Sequence, residues 1–189
     1  MTGEELGYSK QQPGWHVFVL SVLTLGIYNP YWFYKNLITL NQEGAAENSK
    51  ESKRFCVNHP YFSTLLFFIP VANLIIAMEF FAAVGELLPD KNSFWFKHNM
   101  LCAFGLALAF GALLLLGLLP EPYHLFYLLS ALPLSFAQSN LNAFWKQEEG
   151  GEQLMRSAFN PIELIVIFFG AGLLGLITVG PSVIGTVHH

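Results

Sequence analysis

Residues 100–119 read MLCAFGLALAFGALLLLGLL, a run of 20 positions with no charged side chain. As a helix at 1.5 Å per residue the run is about 30 Å long, which matches the hydrocarbon core of a bilayer. Four further apolar stretches flank it, at Trp15–Tyr34, Tyr61–Val84, Tyr123–Ala137 and Ile162–Val179. Hydrophobic residues make up 53% of the chain and charged residues 12%, about half the charge of an ordinary soluble domain. The pattern predicts an all-α fold, an integral membrane bundle of five transmembrane helices. A polar N-terminal tail over residues 1–14 precedes a single helical membrane domain over 15–187, with a polar loop at 41–59.

The five stretches differ in quality. Tyr61–Val84 is 24 residues, about 36 Å as a helix, with Pro60 suited to its first turn and Pro70 expected to kink it. In Met100–Leu119 the small residues Gly105, Ala109 and Ala112 recur at helical spacing. The fifth stretch carries Gly170, Ala171, Gly172 and Gly175. Small residues let membrane helices approach closely, so both faces are expected to pack on a neighbour, within the chain, in a homo-oligomer or on another membrane protein. The fifth stretch opens Asn160-Pro161-Ile162-Glu163, which reads as a helix start with Glu163 as a cap. Pro-Glu-Pro at 120–122 predicts antiparallel third and fourth helices.

The fourth and first stretches are irregular. The fourth holds Pro133 and then turns amide-rich at Gln138, Asn140 and Asn142, whose side chains need protein or water beside them because lipid offers no hydrogen-bond partner. In the first, Gly26 can end a helix, and Asn29 before Pro30 is pushed away from the α region. Gly26, Asn29 and Pro30 thus form a helix-break motif. Either one helix kinks there or two half-helices meet; a first segment that re-enters or lies at the interface, with four spans following, is the alternative. Tyr31, Trp32, Tyr34, Tyr61, Trp95, Tyr123 and Trp145 fall near the ends of stretches, as an interfacial aromatic belt would.

Thr24-Leu25-Gly26-Ile27-Tyr28 followed by Tyr31-Trp32-Phe33-Tyr34-Lys35 resembles the signature of a domain of unknown function in bacterial multi-pass membrane proteins, Thr-x-Gly-Ile-Tyr followed by Tyr-Trp-x-Tyr-Lys. Gln138, Leu141-Asn142, Trp145 and Pro161-x-Glu163 are also similar to some members. The match is good over the first 40 residues and loose beyond. The resemblance implies a bacterial inner-membrane location and brings no catalytic residue, substrate or cofactor.

Function classes narrow by what is missing. The chain has one aspartate, Asp90, and neither a phosphate-binding Gly-x-x-x-x-Gly-Lys-Ser/Thr loop nor a Gly-x-Ser-x-Gly elbow. No cofactor, no metal site and no nucleic-acid partner is expected, and the lipid bilayer is the expected partner. Glu79, inside the second stretch, is the outstanding polar candidate, since ionisable groups within spans are costly. It reads as an interfacial carboxylate, as a proton or cation site, or as the partner of a lysine such as Lys35. Glu79, Gln138, Asn140 and Asn142 are the candidate intramembrane polar site. The expected function is non-catalytic, in assembly or envelope structure. The alternatives are a small transporter or channel, and a lipid-acting enzyme. With five spans the basic residues divide five against four between the two sides. The cluster Lys50, Lys53 and Arg54 favours a cytoplasmic 41–59 loop and an external N-terminus.

Overall fold

The computed structural model describes residues 11–46, 54–121, 123–148, 159, 161, 163–170 and 172, and these are helices and their connections with no strand among them. In chain order the helices are α1 (Gly14–Leu23), α2 (Tyr28–Ala46), α3 (Phe55–Asn58), α4 (Pro60–Leu66), α5 (Pro70–Glu86), α6 (Phe94–Lys97), α7 (Asn99–Leu115) and α8 (Ala131–Glu148). Short 3₁₀ helices at Leu116–Leu118 and Tyr123–Ser130 lie between α7 and α8, and residues 163–170 are helical. Helix α7 with its 3₁₀ extension, Asn99–Leu118, is the one described helix long and apolar enough to cross a membrane. Its mean hydropathy is 2.5, and only 17% of it is buried. A soluble core helix of that composition would be mostly covered.

The first stretch is broken, not kinked. Helix α1 ends at Leu23, and Leu25 and Gly26 both take positive φ (51° and 78°). The N–H of Gly26 reaches back to the Ser21 carbonyl at 2.7 Å, as in a six-residue helix-ending turn. The Thr24 hydroxyl then accepts the N–H of Tyr28 at 3.0 Å and so caps the start of α2. The break therefore falls at Thr24–Ile27, and Asn29 and Pro30 sit in the first turn of α2, where a missing N–H costs nothing. At ten residues, α1 is about 15 Å long, half a bilayer core. Helix α2 continues to Ala46, so residues 41–46 extend a helix instead of opening a loop, and α3 occupies 55–58.

The second stretch also divides. Ile69, before Pro70, is extended (φ −102°, ψ 115°), and Pro70 becomes the first residue of α5. The Phe67 carbonyl takes the side-chain amide of Asn73 at 2.6 Å. Two contacts show that α5 turns back along α3 and α4. Arg54 meets Glu86 at 2.6 Å, and the backbone N–H of Cys56 donates to Glu79 Oε2 at 2.9 Å. In one straight helix the 26 steps from Pro60 to Glu86 alone would cover about 39 Å. Helix α5 then packs antiparallel on α7. Asn99 bonds the Ala82 carbonyl at 2.8 Å, while a Cβ on Gly111 would stand 3.2 Å from Leu74.

Helices α7 and α8 are antiparallel, as the Pro-Glu-Pro turn predicts. Gly117 faces Tyr127, with a built Cβ 3.4 Å from that residue's Cβ, and Phe136 stacks on Trp95 at 5.2 Å. Pro133 lies in the first turn of α8. Helix α1 lies along α8, where Gly14 abuts the Ser135 carbonyl and the Tyr127 hydroxyl donates to the Leu25 carbonyl at 2.8 Å.

The interior combines aromatic and small side chains: Trp32, Phe33, Phe80, Phe81 and Phe110 with Ala82, Ala103, Ala107 and Ala137. Trp32 and Phe80 meet edge to face at 5.5 Å, and Phe33 lies 4.9 Å from Phe80. Trp32, Trp95 and Trp145 are buried. These three are core residues, not members of an aromatic belt, because each ring is large enough to fill the gap between helices. Tyr61 and Tyr123 are exposed. Large apolar residues dominate the outside, among them Val71 (74% exposed), Leu118 (82%) and Phe168 (76%).

The small-residue faces separate. Gly170 sits where a Cβ would be 2.5 Å from Thr24 Cα and 2.6 Å from the Leu23 carbonyl, so only glycine lets this helix approach the end of α1. Gly172 and Gly105 have nothing within 4 Å of that position. On α7 the buried face is Ala103, Ala107 and Phe110, and Gly105, Ala109 and Ala112 point outward. Ala171 and Gly175 lie outside the described residues.

Candidate functional site

Polar side chains are concentrated inside the bundle, where the break in the first stretch, the amide-rich half of α8 and the helical residues 163–170 converge. Asn142 is fully engaged. Its Oδ1 accepts the backbone N–H of Gln12 at 3.0 Å, and its Nδ2 donates to the Gln12 carbonyl at 2.7 Å. One amide side chain thus satisfies both backbone groups of a residue that no helix would pair. Gln138 Nε2 adds a second donor to Asn142 Oδ1 at 2.9 Å, and Gln138 Oε1 accepts the Trp32 indole N–H at 2.7 Å. Gln12 Nε2 donates to the Tyr28 hydroxyl at 2.9 Å. That hydroxyl faces both Gln12 Oε1 and Glu163 Oε1 at 3.3 Å. Gln138 is 1% exposed and Glu163 is fully buried.

Helical periodicity positions these groups. Buried α8 residues recur as Leu134, Ala137, Gln138, Leu141, Asn142 and Trp145, one stripe at the i, i+3, i+4 spacing. Asn140 falls off the stripe and donates to the Phe136 carbonyl of its own helix at 2.8 Å. The expected grouping of Gln138, Asn140 and Asn142 is therefore corrected: two amides face inward and the third faces out, because successive residues turn about 100° around the axis. Glu163, read from sequence as a helix cap, reaches the Tyr28 hydroxyl with its carboxylate.

Glu79 is held elsewhere. It is half-buried, and its carboxylate takes the N–H of Cys56 in the first turn of α3. The neighbouring Phe80 packs on Trp32, whose indole N–H donates to Gln138. Beside Glu79, burial pushes the Cys56 thiol up to about 12, with the carboxylate adding to the shift. Arg54 bonds Glu86 and also approaches Met100 Sδ at 3.6 Å.

Around the helix break, Ser21 donates to the Val17 carbonyl at 2.7 Å and also contacts Asn29 Oδ1. Gly26, Asn29 and Pro30 thus belong to a closed turn. Among the described residues no three His, Cys, Asp or Glu side chains gather as a metal ion would need. Sequence reasoning missed Gln12, Tyr28 and Trp32 as site members. Gln12 lay in a polar tail, and the two aromatics looked interfacial. The available signal was the coincidence of amides in α8 with hydrogen-bonding aromatic tips in α2, both in apolar surroundings.

No family model, curated protein or solved structure matches this chain. The reading of the site accordingly rests on its geometry.

Proposed function

We propose that this chain is a multi-pass protein of a bacterial inner membrane, and that its polar interior is a structural knot, serving assembly or envelope structure and not catalysis. One observation carries the reading. Amides are buried and mutually paired in the interior, as Gln12, Gln138 and Asn142 are, while large apolar side chains cover the outside. Lipid reverses the usual preference of a surface, since an apolar exterior is then the solvated one and any polar group must find its partner within the protein. Exposed apolar area on this scale on a soluble protein marks an interaction surface. The open face of Gly105, Ala109 and Ala112 supports association with a second copy or another membrane protein.

A transport reading draws on the discontinuous first helix, since broken helices build midplane sites in transporters. Against it, the groups freed at this break are already taken, by the Thr24 hydroxyl, the Tyr127 hydroxyl and the Ser21–Asn29 contact. Glu79 is likewise held by Cys56. Proteoliposome flux distinguishes the two. With a pH-reporting dye inside, wild type and Glu79→Gln are expected to leak protons no faster than empty liposomes. Flux above that of empty liposomes that Glu79→Gln abolishes would replace the structural reading with transport.

A further inference from the structure

The hairpin of α3–α4 on α5 changes which ends of the chain share a side of the bundle. Arg54 against Glu86 and Met100 brings the start of α3 to the end of α5 and the start of α7. The side-chain amide of Asn41 donates to the Val57 carbonyl at 3.0 Å, so the C-terminal end of α2 arrives there too. Helix α8 starts from the opposite end, where Tyr127 meets Leu25 and Gly117. It meets Trp95, in the connection between α5 and α7, at Phe136 and continues in the same direction through Lys146.

Arg54, Lys91, Lys97 and Lys146 therefore all lie at one end, and Lys35 is on α2, which leads to it. The opposite end includes residues 24–27, 116–121 and 123. There the described residues include no lysine or arginine, and Glu121 is the one charged side chain. The bend between α4 and α5 lies toward that side, where Phe67, Phe68 and Pro70 share an apolar groove of about 560 Å³ with Leu115 and Leu118. The five-against-four division of basic residues assumed that Tyr61–Val84 crosses the membrane once. With that segment returning to its own side, the division among the described loops becomes four against none. Orientation follows the lysine and arginine count in short loops, with acidic residues contributing little.

Resting on the membrane reading above, we propose that the end bearing Arg54, Lys91, Lys97 and Lys146 faces the cytoplasm and its lipid headgroups. The segment 54–86 enters the bilayer from that face and returns to it. Gln12, at the Asn142 end of the polar knot, places the N-terminal side of α1 toward the same face, opposite to the external N-terminus expected from sequence.

The test uses the full chain with Cys56→Ala and Cys102→Ala, carrying a single cysteine at Asn58, Asn92 or Glu121, expressed in a bacterium. Spheroplasts are treated with a membrane-impermeant maleimide before and after permeabilisation. Asn58→Cys and Asn92→Cys are expected to gain about tenfold in labelling on permeabilisation, and Glu121→Cys to label fully without it. Labelling of Asn58→Cys and Asn92→Cys from opposite sides would overturn the hairpin. Labelling of both from outside, with Glu121→Cys protected, would overturn the orientation. His59→Cys and Lys91→Cys report on the same two loops if either first variant fails to accumulate. Release of the parent chain from membranes by alkaline carbonate would instead remove the membrane reading itself.

Discussion

Asn142→Leu is the sharpest test of the polar knot, with Asn140→Leu as its partner two residues away on the same helix. Leucine keeps the branched shape and heavy-atom count of asparagine, is bulkier, and removes both polar ends. At position 142 three groups lose their partner: the Gln12 N–H, the Gln12 carbonyl and Gln138 Nε2. An orphaned buried group costs about 1–3 kcal/mol in soluble proteins. Side-chain hydrogen bonds between membrane helices average nearer 0.6 kcal/mol, because the unfolded chain in lipid finds other partners. Taking the smaller value for three bonds gives about 2 kcal/mol, a factor of roughly 30 in the unfolding equilibrium. At position 140 the lost bond runs only to the Phe136 carbonyl of the same helix, so nothing buried is orphaned, and the change is expected within about 0.5 kcal/mol. The assay is SDS-driven unfolding in mixed micelles, followed by tryptophan fluorescence from the buried Trp32 and Trp145. Equal unfolding midpoints for the two variants would refute the claim that the inward amides hold the N-terminal segment to α8.

Gly170→Ala should destabilise by about 1–3 kcal/mol in the same titration, since the methyl meets the backbone of Leu23 and Thr24, whereas Gly172→Ala should be silent. Gly26→Ala should cost about 1 kcal/mol, because alanine at φ 78° is strained and its methyl also crowds Tyr127 at 3.3 Å. Cys56 should resist maleimide at pH 7–9 in the folded protein and react at once in SDS, as the buried thiol stays protonated. The thiol's pKa is raised from 9.0 to about 12, so folding favours the protonated form. Its contribution to stability is intact below pH 9 and declines as pH rises from 9 toward 12. A Cys56→Ala variant should show a weaker loss of stability over that window.

Local backbone chemistry was legible in the residues. Pro60 opens a helix as expected, and the break near Gly26 is one of the two forms expected of that motif, whereas Pro70, expected to kink a continuous helix, begins a new one. The amides of α8 needed a polar neighbour and have one. Less was legible about direction. Pro70 signals that the helix cannot continue unbroken, yet a kink of a few degrees and a complete reversal use the same residue. Which it is depends on Arg54 finding Glu86 and on Glu79 finding the N–H of Cys56, contacts between positions 32 and 23 residues apart.

By itself the sequence determined that the described chain is helical, that it carries a helix apolar enough to cross a bilayer, and that the first stretch and Pro70 interrupt their helices, because these follow from side-chain transfer energies and from the local constraints of glycine and proline. Only the tertiary structure decided that α5 returns along α3 and α4, that Asn142 faces inward while Asn140 faces out, and that Glu79 accepts the backbone N–H of Cys56. Such outcomes depend on which distant partners remain to satisfy each polar side chain once the helix ladders have paired the backbone. In this chain those partners stand as far apart as Gln12 and Asn142, or Trp32 and Gln138.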